Sequence, residues 1–238
     1  MKSFARAIAA LLFLATAVFA RYHELVWDHE KICSTLLERA KAGEVSPKRI
    51  NYEALRLNCA RTSWYLDREK DKIRELSEKM HKAAYDGKYE QAKQYAASIL
   101  ELDYLDMWAQ KIFSQSMLAL GEDSVVANRH REFRLELLRA LVNSGSRKSC
   151  KNGWVVIDVD EEYFVMNMAG WRPKRQQLVN EDGHTCDLMK VVDKDGQELD
   201  VYFNVDIVFE NYRREFVIPE ELLKLNALLN LRDPSGAF

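Results

Sequence analysis

The chain has 238 residues, of which 30% are charged, with a formal net charge of −2 at pH 7. So even a balance excludes the basic footprint of a dedicated nucleic-acid binder, and the charges are spread along solvated helix faces rather than gathered into one field. The length suits one large domain or two small ones.

The chain opens MKSFARAIAALLFLATAVFA. Lys2 and Arg6 precede an apolar run at residues 7–19, and Val18-Phe19-Ala20 offers a small-residue cleavage site. This is the pattern of an export signal over residues 1–20, too short to span a bilayer comfortably. The mature chain is expected to start near Arg21, with the charge moved to about −4 by loss of Lys2 and Arg6. No cysteine follows closely enough for a lipid anchor, and no later run is long and apolar enough to cross a membrane. The expected location is periplasmic or secreted, with no membrane span after cleavage.

Residues 21–146 read as a helical region. Ile32, Cys33, Leu36, Leu37 and Ala40 have helical spacing, with Gly43 as a stop. Ser46 and Pro47 suit the cap and first position of a second helix, which makes an antiparallel pair around a short loop near residue 46. Cys33 and Cys59 lie at equal distances from that loop. Equal distance sets residues opposite each other in a helical hairpin, which favours a Cys33–Cys59 bridge. Further helices are expected at roughly 69–86, 88–102, 105–120 and 123–143, the last capped by Asp123 or Ser124. Its apolar stripe is Val126, His130, Phe133, Leu137 and Leu141, on which His130 reads as a core histidine and not a ligand. Gly87, Tyr89 and Ala92, followed by Ile99-Leu100 and Asp103, resemble the second half of a tetratricopeptide repeat, in which small residues let paired helices approach closely.

Composition changes at NSGSRKSCKNG, and residues 147–212 read as an α+β module. GWVVIDVD is a short buried strand. In EEYFVMNMAG, Glu161 and Glu162 suit a first helical turn and Gly170 a stop. RPKRQQLVN leads to another short strand. Two more follow, and the whole is expected to be a small antiparallel sheet with one or two helices. Residues 213–238 form a tail whose amphipathic helix begins at Pro219.

The last strand alternates cleanly. Leu199, Val201, Phe203, Val205, Ile207 and Phe209 share one face, with Asp200, Tyr202, Asn204 and Asp206 on the other. The DKDG turn then sets what opposes them. A two-residue turn at Asp195-Gly196 sets Cys186 beside Val205 and His184 beside Ile207. A three-residue loop with a glycine bulge sets Lys190 opposite Asp200, Cys186 opposite Asn204 and His184 opposite Asp206. The second is favoured, because Asp193 and Gly196 fit a type I turn and Lys190 and Asp200 attract.

The run from GWVVIDVDEEYFVMNMAGWRPKRQQLVNEDGHTCDLMKV to VYFNVDIVF resembles the bacterial family known as domain of unknown function (DUF) 4919. The likeness rests on Val156-Ile157, Val159, the Glu161/Glu162 pair with Tyr163, Gln177-Leu178, and Tyr202-Phe203-Asn204. It covers roughly residues 45–210 and departs from the family pattern at Gln177-Leu178, which lacks a serine. The resemblance implies that the helical and α+β parts form one unit, and it brings no activity with it.

Four cysteines remain in the mature chain, which in an exported protein reads as two disulfides. Cys150, in a flexible link, is the natural partner of Cys186. That pairing removes the sharpest enzymatic idea, Cys186 as a nucleophile with His184 as base. A histidine-based hydrolase, His184 with Asp206, remains as the alternative. There is no CxxC, HExxH, GxSxG, P-loop or GxGxxG pattern, so no cofactor or metal is implied. His29 and Cys33 are four apart on a helix, but a bridged cysteine is no ligand. The acids Asp158, Asp160, Glu161 and Glu162 lack the register of a calcium loop, and DKDGQE reads as ordinary turn chemistry. Trp171, Arg172, Lys174 and Arg175, with Tyr202 and Asn204, are the candidate binding residues, through charge and aromatic stacking. The expected function is a non-enzymatic module of the cell envelope that binds a peptide, protein or glycan.

Overall fold

The computed structural model describes residues 28–216. The export signal and the helix expected from Pro219 lie outside the described residues.

Helix α1 covers 28–41 and lies against α2 (Tyr52–Cys59), joined by the Cys33–Cys59 disulfide with a Cα separation of 4.8 Å. Ser46 does not cap α2. Its carbonyl accepts the N–H groups of Arg49 and Ile50 and closes a turn, and Asn51 takes the cap, its side chain accepting the Ala54 N–H at 3.0 Å. An amide carbonyl one residue before the helix does what a serine five residues earlier cannot. A short helix α3 (Ser63–Leu66) follows, capped by Thr62.

Four longer helices come next, each packed on its successor: α4 (Lys70–Tyr85), α5 (Tyr89–Leu102), α6 (Met107–Ala119) and α7 (Ser124–Asn143). Ala92, Ala96 and Ala109 are fully buried in the cluster that joins α4, α5 and α6, so small side chains set the spacing of these three helices. Asp123 caps α7 by accepting from Val125 and Val126. His130 is hydrogen-bonded to buried Gln110 at 2.6 Å and lies against Phe113.

The rest of the chain builds β1 (Trp154–Val155), α8 (Val159–Ala169), β2 (Arg172–Glu181), β3 (His184–Val192), β4 (Glu198–Asn204) and α9 (Asp206–Phe216). Sheet order is β1-β4-β3-β2. β2, β3 and β4 form an antiparallel meander, but β1 runs parallel to β4, so the sheet is mixed rather than wholly antiparallel. The chain reaches β4 from β1 through α8 and the first hairpin, and so long a crossover frees the pair from the antiparallel direction that a tight turn imposes. Gly170 ends α8 with φ +70° and donates to Asn167 and Met166.

The DKDG loop is the three-residue form. Asp193 and Gln197 face each other, Gly196 takes φ +83°, and Lys190 pairs with Asp200 and Cys186 with Asn204. β4 ends five residues earlier than its alternation implies. Asn204 accepts the Asp206 N–H at 3.0 Å, which turns the chain out of the sheet, and α9 begins. Val205 and Val208, with Asn211, also satisfy helical spacing, and the short apolar run is consistent with both periods.

One apolar core joins α1–α3, α7 and α8 to the inner face of the sheet, through Leu55, Phe133, Leu137, Phe164 and Phe203 among others. Its polar centre is Arg56, 1% exposed. From α2 it donates to both oxygens of Glu161 on α8, at 2.6 and 3.2 Å, and to the Val155 carbonyl at 3.0 Å. Glu161 also accepts the Ile157 N–H at 2.9 Å. Arg56→Met is expected to cost about 3–5 kcal/mol in urea unfolding, because Glu161 is left charged and unpaired. Adding Glu161→Gln should recover a large part of that loss.

Candidate functional site

The hairpin gathers three of the sequence candidates. His184 Nδ1 lies 2.7 Å from Asp206 Oδ2, which also accepts from Asn204 Nδ2 at 3.0 Å. Asp206 Oδ1 accepts the Thr185 N–H at 2.8 Å. Partial burial pushes the Asp206 carboxyl up, but these hydrogen bonds outweigh it and hold the group below the ordinary carboxylate range. Cys186, on the same face, is bridged to Cys150 and offers no thiolate. The network fastens the start of α9 to the start of β3.

The other candidates are spread out. Arg172, Lys174 and Arg175 lie on β2, an edge strand of the sheet. Lys174 sits at the register shift between Pro173 and Arg175 and pairs with Glu198 on β4. Proline, cations and a bulge on an edge are the usual means of preventing a further strand from pairing there. Trp171 stacks on Trp154 with the rings 5° from parallel, and Arg147 lies over it at 5.3 Å. Tyr202 is two residues along β4 from Asn204.

A cleft of about 540 Å³ opens elsewhere, between α4, the α5–α6 turn, the amino end of α8 and one face of α9. Arg68, after α3, lies over the Tyr65 ring and makes ion pairs with Asp103 at 3.1 Å and Asp158 at 2.5 Å. Asp106 caps α6, one oxygen accepting the Ala109 N–H at 2.8 Å. Trp108 stands between His81 and Phe164, meeting each edge to face. From α9 come Val208, Asn211 and Tyr212.

Charge in this cleft is unbalanced. Asp106 is pushed up to about 7 by burial and by the neighbouring carboxylates Asp103, Asp160 and Asp158. Asp103 is pushed up to about 6 by burial, against the pull of Arg68. Burial and Asp158 also raise Asp160. The four acids of the IDVDEE run therefore have different tasks. Asp158 pairs with Arg68 and Glu161 with Arg56. Asp160 lines the cleft. Glu162 is fully buried near Asp187 and pushed up to about 9, by burial first and Asp187 second. Among the described residues no group of three or more His, Cys, Asp or Glu side chains is arranged to hold a metal ion. No described helix is long and apolar enough to cross a membrane.

Sequence reasoning missed this cleft. Arg68 and Asn211 stand in no motif, and the pairing of residue 68 with 103 and 158 is a product of tertiary packing. The available signal was weak: Asp106 and Asp158 both stand at helix starts, where an acid has a capping task already.

A family model described as "Domain of unknown function (DUF4919)" matches residues 35–214, more than half of the chain. No curated protein and no solved structure matches it.

The raised carboxyls set a pH dependence. Asp106 and Glu162 keep their protons in the folded state well above the pH at which the unfolded chain releases them. Their stabilisation is complete below the unfolded values near 4 and is lost as pH rises through about 7 and about 9. The melting temperature should therefore fall between pH 5 and 8. Asp106→Asn, which keeps a capping side chain, and Glu162→Gln should each flatten that fall, with a gain of roughly 1–3 kcal/mol at pH 8.

Proposed function

Because the chain belongs to the DUF4919 family, whose description assigns no activity, we propose a function from geometry: an exported, non-enzymatic binding module that seats a segment of a partner polypeptide in the cleft. The observation that carries this is the cleft itself, a concave space of about 540 Å³ whose walls combine apolar rings with fixed ion pairs. Buried Arg56 and Arg68 hold those walls, so the site is formed before any ligand arrives. Two disulfides and the export-type leader support a location outside the cytoplasm, periplasmic or secreted.

A peptide fits better than a glycan. Sugars stack on open aromatic faces, and here the rings have partners: Tyr65 lies under Arg68, Lys111 over Trp108, and Lys70 over Tyr212. A polypeptide needs only mixed apolar and polar walls.

A hydrolase using His184 with Asp206 is the second reading, favoured by their 2.7 Å contact. The disulfide at Cys186 supplies it no nucleophile, so it would have to activate water. His184→Ala tests it: unchanged behaviour across peptidase and esterase substrate panels ends it.

For the main reading, a random-peptide library is selected on the immobilised protein. Wild type is expected to enrich a sequence family, and Ser77→Trp, which fills the cleft from α4, should weaken those peptides by at least about tenfold. No enriched family, or equal binding by Ser77→Trp, would overturn the proposal.

A further inference from the structure

The cleft has an apolar face that nothing among the described residues covers. Of the 16 residues of α4, only Met80 and Ala83 are buried, and both lie past its midpoint. Ile73, Ser77 and His81, four residues apart along one stripe of that helix, line the cleft. Val208 and Tyr212 line it from α9. Of the described α9 side chains only Tyr212 and Arg213 are exposed, so the open apolar side of α9 is the cleft side. The description of α9 ends at Phe216, four residues past Tyr212, or about 6 Å along the helix axis. The chain therefore leaves the described fold beside the mouth of the cleft.

Next in the sequence is VIPEELLKLNALLNLR, residues 217–232. Pro219 suits a first helical position, with Glu220 and Glu221 in the first turn. Leu222, Leu225 and Leu229 recur at the spacing of one helical stripe, and six leucines fall between 222 and 231. A helix this short is marginal in water without packing, and one this apolar calls for a surface to cover it. The link from α9 to Pro219 is two residues, Val217 and Ile218. A helix joined by so short a loop packs antiparallel to the one before it.

We propose that residues 219–231 fold back along α9 as a helix, seat their leucines in the cleft, and cover it until a partner polypeptide displaces them. Charge agrees on the direction. Lys70 lies over the Tyr212 ring at 5.8 Å, which sets the start of α4 beside the exit of the chain. From that end the cleft edge of α4 reads Lys70, Arg74, Glu78. The segment, entering there, reads Glu220, Glu221, Lys224, so its acids come first to the cations and its lysine to the acid. The whole lining holds six acids and three cations, and residues 217–232 hold two of each, so charge gives no net pull. It sets the direction, and the leucines carry the burial. Displacement by a partner rests on the polypeptide-binding reading of this cleft; the fold-back itself does not.

Hydrogen exchange of the full chain tests it, read at the amides of residues 222–229. In wild type they are expected to exchange at least about tenfold more slowly than in Ser77→Trp, which fills the cleft from α4. A second variant, Leu222→Asp with Leu225→Asp, changes no residue of the described core. It should release the segment and speed exchange along the first half of α4, with α7 unchanged. Fast exchange of 222–229 in wild type, or slow exchange that Ser77→Trp leaves in place, would overturn the proposal. Protection that rises with protein concentration would assign the cleft to the segment of a second copy and overturn the fold-back form. The peptide selection is a separate outcome. The double leucine variant is expected to bind the enriched peptides at least about tenfold more tightly than wild type, because its cleft is already vacant. Equal affinity would overturn the cover. A segment released as expected, with no peptide family enriched on the double variant, would leave the fold-back standing and overturn the partner-binding reading.

Discussion

Two charges, Arg56 and Glu161, are buried against each other at the point where the helical layer meets the sheet module. Removing ions from water costs several kcal/mol each, so such a pair persists only when every donor and acceptor is used. Here the fork of Arg56 takes both carboxylate oxygens and a backbone carbonyl, and Glu161 takes a backbone N–H in addition. That saturation fixes α8 in place and in rotation. Asp158 and Asp160 then face the cleft, while Glu162 turns toward Asp187 beneath the sheet. Gln176 donates to Asp187 at 2.7 Å, and Tyr163 to Gln176 at 3.3 Å, so a polar chain continues to the sheet edge. Glu162 keeps its proton because burial and the neighbouring Asp187 disfavour its charged form, and its oxygens meet no donor among the described residues.

The cleft is thus a property of the junction and belongs to neither side alone. Its floor comes from α3, α4 and the α5–α6 turn, and its opposite wall from α8 and α9. The site has shape because the apolar core runs unbroken through Leu55, Phe133, Phe164 and Phe203. Trp108 illustrates the arrangement: it springs from α6 and meets His81 on α4 and Phe164 on α8. Loss of that packing would remove the space along with its chemistry.

Local rules made much of the fold legible. Counting from a loop paired Cys33 with Cys59, and Asp193 with Gly196 fixed a three-residue turn, because both depend on a few consecutive residues. Alternation failed at Val205–Phe209, where one asparagine side chain redirected the backbone within a single residue. Periodicity has no term for such a side chain. It failed again at Ser46, since Asn51 stood nearer the helix it capped. The cleft was illegible for another reason. Its members at 68, 103, 106, 158, 160 and 211 come from distant parts of the chain, and only their packing makes them neighbours. The IDVDEE run read as a helix start with spare acids; in the folded chain those acids part in different directions.

The Arg56 pairing spans 105 residues of sequence. A ribosome adding about 5–20 residues each second needs roughly 5–20 s to pass from one partner to the other. For that interval the amino-terminal helices exist without their counterion and without the sheet that covers them. The guanidinium remains in water, and the apolar faces of α2 and α7 stay open to any other chain. The amino-terminal helices therefore cannot complete their core until residue 161 has been made.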